Sequence, residues 1–300
     1  MVEKSGSPGR VTSVRGFLGK VFELDRRSGF EGSAVRVFYR GQWNHEWPIW
    51  PSVFRNENLK ENEGKLIKEV VSRFPDEFIN DNTTLEKLVR LQHYGLPTRI
   101  LDLTENSLYA LYFACCEGAS EKKDGVVFSF VVNRDYCLDF MSDTASVVSN
   151  LSYLNSEERV SIREKALNLI KKEKLSGEDV VKFNNDFHMR RLLHFIKEEK
   201  PYFEPKIAPK SLHRIVAVNP KMNNRRIIAQ SGAFFLFGIQ DILKENNDDE
   251  ISVERITIDG ASKLKIIEEC EKIGITESRL FPEITSATLE VKRKYESIGR

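Results

Sequence analysis

The chain has 300 residues, is 40% hydrophobic and 30% charged, and carries a formal net charge of +1. That length and apolar content suit one large domain or two small ones with room for a core. The near balance of 46 basic and 45 acidic residues excludes a global field that would draw the chain to nucleic acid or to a membrane. The longest apolar runs are too short to span a bilayer, and the first ten residues lack an apolar signal core. The four cysteines form no C-x-x-C pair, so free thiols in a reducing compartment are expected. These features lead to the expectation of a cytoplasmic protein.

Residues 1–10 are expected to lack fixed structure. Val14, Phe17, Leu18, Val21 and Phe22 then recur at helical spacing, with Ser13 as a cap. A turn over 26–33 leads to a β-type run at 35–40. All three tryptophans follow within eight residues, at Trp43, Trp47 and Trp50, on a loop broken by Pro48 and Pro51. Core packing is the expected role for most of them, and a stacking wall beside Arg40 is the alternative.

Two amphipathic helices follow, one around 66–74 that stops at Pro75 and one around 85–92. The second delivers the most informative stretch, QHYGLPTRILDLT at 92–104. Gly95 can take a positive φ and end the helix, and Pro97 pushes Leu96 toward extended backbone. The stretch therefore reads as helix end, tight turn, extended run and helix start. Its polar residues sit at a rigid junction, a common place for a site. An alternative without chemistry is that Arg99 pairs with Asp102 and Thr104 caps the next helix.

Residues 107–116 form an apolar, buried helix, and 125–132 read as a central strand. From about 143 to 201 the chain turns polar and helical, which marks an insertion. His188 and His194 lie six apart there, which is not a helical metal spacing, and no metal site is expected. β-type runs return at 214–218, 233–238 and 253–258. The stretch 225–230 reads as a turn or strand before a glycine break at Gly232, and helices are expected at 263–273 and 277–298. The expected fold is α+β, with a mostly antiparallel central sheet, open to being split, flanked by helices. No G-x-G-x-x-G, P-loop, H-E-x-x-H or G-x-S-x-G motif is present.

Three pieces together resemble the FRG-domain family: FYRGQ at 38–42, QHYGLPTRILDLT at 92–104, and RIIAQSGAF at 226–234. The likeness spans roughly 35–137 plus the third piece. This chain has Leu103 where the family usually has Trp. The resemblance implies a segment 1–34 carrying the amphipathic helix, then an FRG-like α+β domain over 35–300 with a helical insertion at about 143–201. The family is bacterial and often found near phage-defence genes.

A more distant likeness to ADP-ribosyltransferases implies a toxin or defence effector that transfers ADP-ribose from NAD, its substrate. It implies catalytic roles for Arg40, His93, Asp102 and Gln230. It also implies NAD-binding roles for Tyr39, Arg40, Gly41, Gln42, Tyr94, Thr98, Arg99 and Thr104. No metal is implied. The implied partners are a nucleic-acid or protein acceptor and an antitoxin or chaperone, with no membrane. The Glu common to many such enzymes is absent, and Asp102 is the residue that would supply its charge. A non-catalytic nucleotide-, phosphate- or protein-binding domain is the alternative.

Overall fold

The computed structural model describes residues 9–27, 34–116, 122–222, 224–245 and 250–282. The expectations for residues 1–8, for 28–33 of the turn at 26–33 and for the terminal helix beyond residue 282 lie outside the described residues, while Arg26 and Arg27 are helical rather than part of the turn.

Ser13 opens the first helix, α1 (Val14–Arg27), by accepting from the Gly16 amide at 3.1 Å. β1 (Val35–Gln42) follows, then the loop with the tryptophans, α2 (Glu57–Glu61) and α3 (Glu63–Arg73). α4 (Thr84–His93) starts at a capping box. Thr83 Oγ1 accepts from the Glu86 amide at 3.2 Å, and Glu86 Oε2 accepts from the Thr83 amide at 3.0 Å. This exchange satisfies two helix-start donors and stabilises the helix by about 1 kcal/mol.

α4 ends as expected. Gly95 has φ +85°, and the Leu96 amide turns back to the Leu91 carbonyl at 3.0 Å. β2 (Ile100–Thr104), α5 (Ser107–Cys116), β3 (Gly125–Asn133) and β4 (Cys137–Asp139) come next. The polar stretch then folds as α6 (Asp143–Asn150), α7 (Ser156–Ile170), α8 (Gly177–Asn184) and α9 (Phe187–Glu199). The described residues continue with α10 (Pro209–His213), β5 (Ile215–Asn219), α11 (Arg225–Ala229), β6 (Gly232–Phe237), β7 (Ile251–Ile258), α12 (Lys263–Lys272) and α13 (Glu277–Leu280).

The strands form one curled α+β sheet in the order β4-β5-β6-β2-β1-β3-β7. Among the described strands every pairing is antiparallel except β4 on β5. One face carries Phe38, Leu101, Leu103, Phe128, Phe130 and Phe235 against Val53 and Phe54. On the other side, α1, α5 and α12 cover β1, β3 and β7, while α4 and α6 cover β5 and β6. β3 is buried along most of its length because both its faces are covered, which explains its unbroken apolar run. Helices α7 to α9 enclose a further apolar cluster with Ile162, Phe183, Met189, Leu192 and Ile196.

Several expectations are corrected. β2 is a full member of the sheet, although its five residues with a central Asp102 read only as an extended run. Within the stretch 225–230, expected as a turn or strand, residues 225–229 are helical and Gln230 is the C-cap. Asn224 Oδ1 accepts from the Arg226 amide at 2.8 Å and so caps α11 despite its two isoleucines. The break after it falls at Ser231, with φ +47°, rather than at Gly232. None of the tryptophans is buried core; Trp47 is exposed and the other two are half-buried.

Arg99 does not pair with Asp102. In an extended run side chains alternate faces, so positions three apart point to opposite sides, and Arg99 turns inward to Glu63. Asn106, not Thr104, caps α5, accepting from the Leu108 amide at 3.0 Å.

Candidate functional site

β1 and β2 meet at a single pair among the described residues, Tyr39 opposite Thr104. Beyond it the strands diverge, and a cavity of about 300 Å³ opens in the wedge. That volume is at the low end of the usual small-molecule range. Its walls are Tyr39, Arg40, Gly41, Gln42 and Trp43 from the end of β1, and Asp102, Leu103 and Thr104 from β2. Trp47 and Arg55 come from the following loop, Phe113 and Cys116 from α5, and Arg226, Gln230 and Phe281 from the late chain.

Arg40 stands at the neck of the wedge. Its Nη1 donates to the backbone oxygen of Asp102 at 2.7 Å, where a ladder bond would otherwise form. Its Nε is enclosed and has no hydrogen-bond partner. Burial holds its pKa down to about 10, with the Arg55 charge adding to the effect and Asp102 opposing it. Arg40 therefore stays cationic at neutral pH but is poorly solvated, a state that favours an anionic partner.

Arg55 is likewise lowered by burial, and its guanidinium lies 6.0 Å from the Trp47 ring. The Arg226 guanidinium stacks 4.8 Å from the Phe281 ring. Trp43 and Trp47 pack edge to face at 4.8 Å. The cleft thus sets three guanidinium groups and several aromatic rings around one exposed carboxylate, Asp102.

Gly41 explains the glycine beside Arg40. A Cβ there would lie 1.9 Å from the Ala110 carbonyl oxygen and 2.6 Å from the Ala114 amide. Only glycine lets α5 lie this close to β1 and bring Phe113 and Cys116 to the cleft.

The 92–104 stretch closes on itself to hold Asp102. Thr98 Oγ1 donates to Gln92 Oε1 at 2.7 Å, and Gln92 Nε2 donates to Asp102 Oδ2 at 3.1 Å. The Thr98 amide and carbonyl also tie to the 52–53 turn, through Ser52 Oγ and the Val53 amide. Thr98 is itself buried and does not line the cleft.

The structure therefore brings together Arg40, Asp102 and Gln230, with Tyr39, Gly41, Gln42 and Thr104. It leaves His93, Tyr94, Thr98 and Arg99 outside the cleft lining. Asn224 Nδ2 donates to His93 Nδ1 at 2.8 Å, so His93 steadies the residue that caps α11. Tyr94 is 68% exposed and its hydroxyl donates to Glu77 at 3.0 Å. Arg99 is 1% exposed and grips Glu63 through Nε at 2.8 Å and Nη2 at 2.5 Å. It also donates to the Phe237 and Gly238 carbonyls, so four of its hydrogen bonds are made inside the fold.

Gln230 is the C-cap of α11 rather than a strand residue. Its Nε2 donates to the Leu280 carbonyl at 3.0 Å, and its own carbonyl accepts from Thr104 Oγ1 at 2.7 Å.

Sequence reasoning passed over Gln92, Arg55, Arg226, Phe113, Cys116 and Phe281. Gln92 and Arg226 lay inside the quoted motifs, so a signal existed for them. Arg55, Phe113 and Phe281 reach the cleft only through tertiary packing.

No helix among the described residues is long and apolar enough to cross a membrane. No curated protein and no solved structure matches the chain. The family model of the FRG domain matches residues 35–123. The chain thus carries an FRG domain, and that stretch supplies β1, β2 and α5, and with them Arg40, Gly41 and Asp102.

Proposed function

We propose that the cleft between β1 and β2 binds NAD and that the protein transfers its ADP-ribose to a macromolecular acceptor. The observation that carries this reading is the convergence of Arg40, Arg55 and Arg226 with aromatic walls around the lone carboxylate of Asp102. A guanidinium is the side chain best shaped to hold a pyrophosphate, through two parallel hydrogen bonds. Aromatic faces suit the planar rings at either end of the dinucleotide.

Cleaving the nicotinamide–ribose bond passes through an oxocarbenium-like state, as glycoside cleavage does. Asp102 would place negative charge beside that developing positive charge, and Gln92 would hold the carboxylate in orientation. Nicotinamide leaves with the electron pair of the broken bond, and an acceptor hydroxyl, amine or water supplies the new bond to ribose and gives up a proton.

A protein with this activity is expected to arrest growth when expressed alone, and a partner that blocks the cleft would neutralise it. The test is titration calorimetry with NAD followed by mass spectrometry for released nicotinamide. Binding with release supports transfer or hydrolysis. Undetectable NAD binding overturns the proposal.

A second reading, non-catalytic nucleotide binding, is favoured by one observation. The amide of Gln230 is already engaged with the Leu280 carbonyl, so Asp102 is left without a second polar group committed to the ribose. Binding without release would select this reading.

A further inference from the structure

Gln42 is the least explained polar side chain of the cleft. It is 4% exposed, it belongs to the cleft lining, and neither its Oε1 nor its Nε2 has a hydrogen-bond partner. A buried amide with both ends unpaired destabilises the fold unless something completes it. The same wedge contains the unpartnered Nε of Arg40, two residues earlier on the strand. β1 alternation puts Arg40 and Gln42 on one face, opposite Phe128 and Val126 of β3. Two neighbouring side chains on that face therefore carry unused donors, and one of them also carries an unused acceptor.

A Gln amide offers one donor and one acceptor side by side. The matching edge is planar and carries an adjacent acceptor and donor, as adenine does at N7 and N6. The nicotinamide carboxamide has a similar pair, but its ring is a cation in NAD. The surroundings of Gln42 oppose a cation. Lys263 Nζ lies 5.7 Å and Lys123 Nζ 5.9 Å from the ring of the adjacent Trp43, and Arg40 belongs to the same cleft lining as Trp43. Like charges brought together disfavour the pyridinium there, whereas a neutral purine meets no such repulsion.

We propose that Gln42 is the specificity-determining residue of the cleft and that it reads the N6–N7 edge of adenine. The inference rests on the cleft being a nucleotide site, and it extends that reading by naming the base. It assigns the adenosine half of the ligand to the Gln42–Trp43 end of the wedge. The reactive half then falls toward Asp102.

The test uses the full chain and titration calorimetry with ADP and with IDP. Hypoxanthine carries an acceptor at position 6 where adenine carries a donor, so the Gln42 pair cannot match both. The wild type is expected to favour ADP by about five- to a hundredfold, the usual value of one bidentate base contact. Gln42→Leu is expected to abolish that preference. Melting without ligand provides a second readout: Gln42→Leu is expected to melt at the same or a higher temperature, because an unpaired buried amide is replaced by an apolar group.

Equal affinity of the wild type for ADP and IDP, or a preference that survives Gln42→Leu, would overturn the assignment. So would a clear fall in melting temperature, which would show the amide satisfied within the fold. Titration with NAD and with its nicotinic acid analogue separates the two rings. If Gln42→Leu removes discrimination between those two instead, the residue reads the carboxamide and the adenine assignment fails. Loss of all nucleotide binding in the wild type would overturn both proposals. Adenine preference without nicotinamide release would sustain this one and remove the transferase reading alone.

Discussion

Arg40 Nη1 donates to the backbone oxygen of Asp102, at 2.7 Å, across the point where β1 and β2 part. The side chain from one strand replaces a main-chain bond to the next, so the sheet continues while a cleft opens beside it. The contact uses the backbone of Asp102 and leaves its carboxylate exposed to the cleft. One residue thus supports the fold with one nitrogen, while its enclosed Nε has no hydrogen-bond partner.

Arg40→Lys is expected to weaken NAD binding by about 1.5–3 kcal/mol, or roughly ten- to a hundredfold. Lys keeps the charge but loses the planar fork. Stability should fall by about 1 kcal/mol, the typical net worth of one hydrogen bond. Thermal melting without ligand and NAD titration on both proteins check this. A large melting loss with unchanged NAD affinity would assign Arg40 to the fold alone.

Gly41→Ala tests the close approach of α5. The added methyl meets backbone atoms, which cannot rotate away as a flexible side chain could. Overpacking of this kind typically costs about 1–3 kcal/mol. A lower melting temperature is expected, together with weaker NAD binding, because α5 carries Phe113 and Cys116 to the cleft. Unchanged melting would mean that α5 shifts freely.

The Glu63–Arg99 pair should behave in the opposite way. Both side chains are buried, and Arg159 Nη1 lies 3.5 Å from the same Glu63 carboxylate. Glu63→Ala leaves a buried guanidinium uncompensated and is expected to cost about 3–5 kcal/mol. The pair lies outside the cleft lining, so the folded fraction should bind NAD with wild-type affinity. Denaturant unfolding gives the first quantity and titration the second. A selective loss of NAD binding with little loss of stability would return Arg99 to the site.

The thiols give a pH prediction. Burial pushes Cys270 up to about 12, with Glu269 and Glu271 adding to it, and it pushes Cys115 higher still. Both groups hold their protons in the native state beyond the pH at which an unfolded thiol, with pKa about 8.5, loses them. Their contribution to stability is therefore complete below about pH 8.5 and is lost as pH rises toward 12. Denaturation midpoints should fall across that window, and less steeply in Cys270→Ala. In the native protein at pH 8, alkylation should reach half-buried Cys116 before Cys115 or Cys270. Because Cys116 lines the cleft, bound nucleotide should slow its reaction.

Much of the fold was legible because burial on both faces or on one face leaves a period in the sequence. The strands at β1, β3, β5, β6 and β7 lie within a few residues of the expected runs. β2 was harder to read because a five-residue strand with a polar centre has no alternation to detect. α11 was harder because its cap, Asn224, outweighs the β-type look of Ile227 and Ile228. In the site, Arg40 and Asp102 could be named because both lie in the quoted motifs, although Asp102 stands at the centre of β2 rather than at the end of an element. Arg99 looked equivalent to them in sequence. Its burial is decided by Glu63, a residue 36 positions away, and no local pattern encodes that pairing.

Asp102→Asn separates chemistry from binding. Asn is nearly the same size and removes only the charge, while the bridge from Arg40 survives because it ends on the backbone oxygen. Gln92 can still donate to the retained side-chain oxygen. Melting temperature and NAD affinity are therefore expected to stay close to wild type. Nicotinamide release is expected to fall by about a hundred- to a thousandfold, the scale on which one transition-state electrostatic contact acts. Mass spectrometry of released nicotinamide, at NAD concentrations that saturate both proteins, makes the comparison independent of affinity. Release at the wild-type rate would mean that Asp102 does not supply the charge for bond cleavage. A parallel loss of affinity and melting temperature would instead make the carboxylate part of the frame that holds β2 against α4.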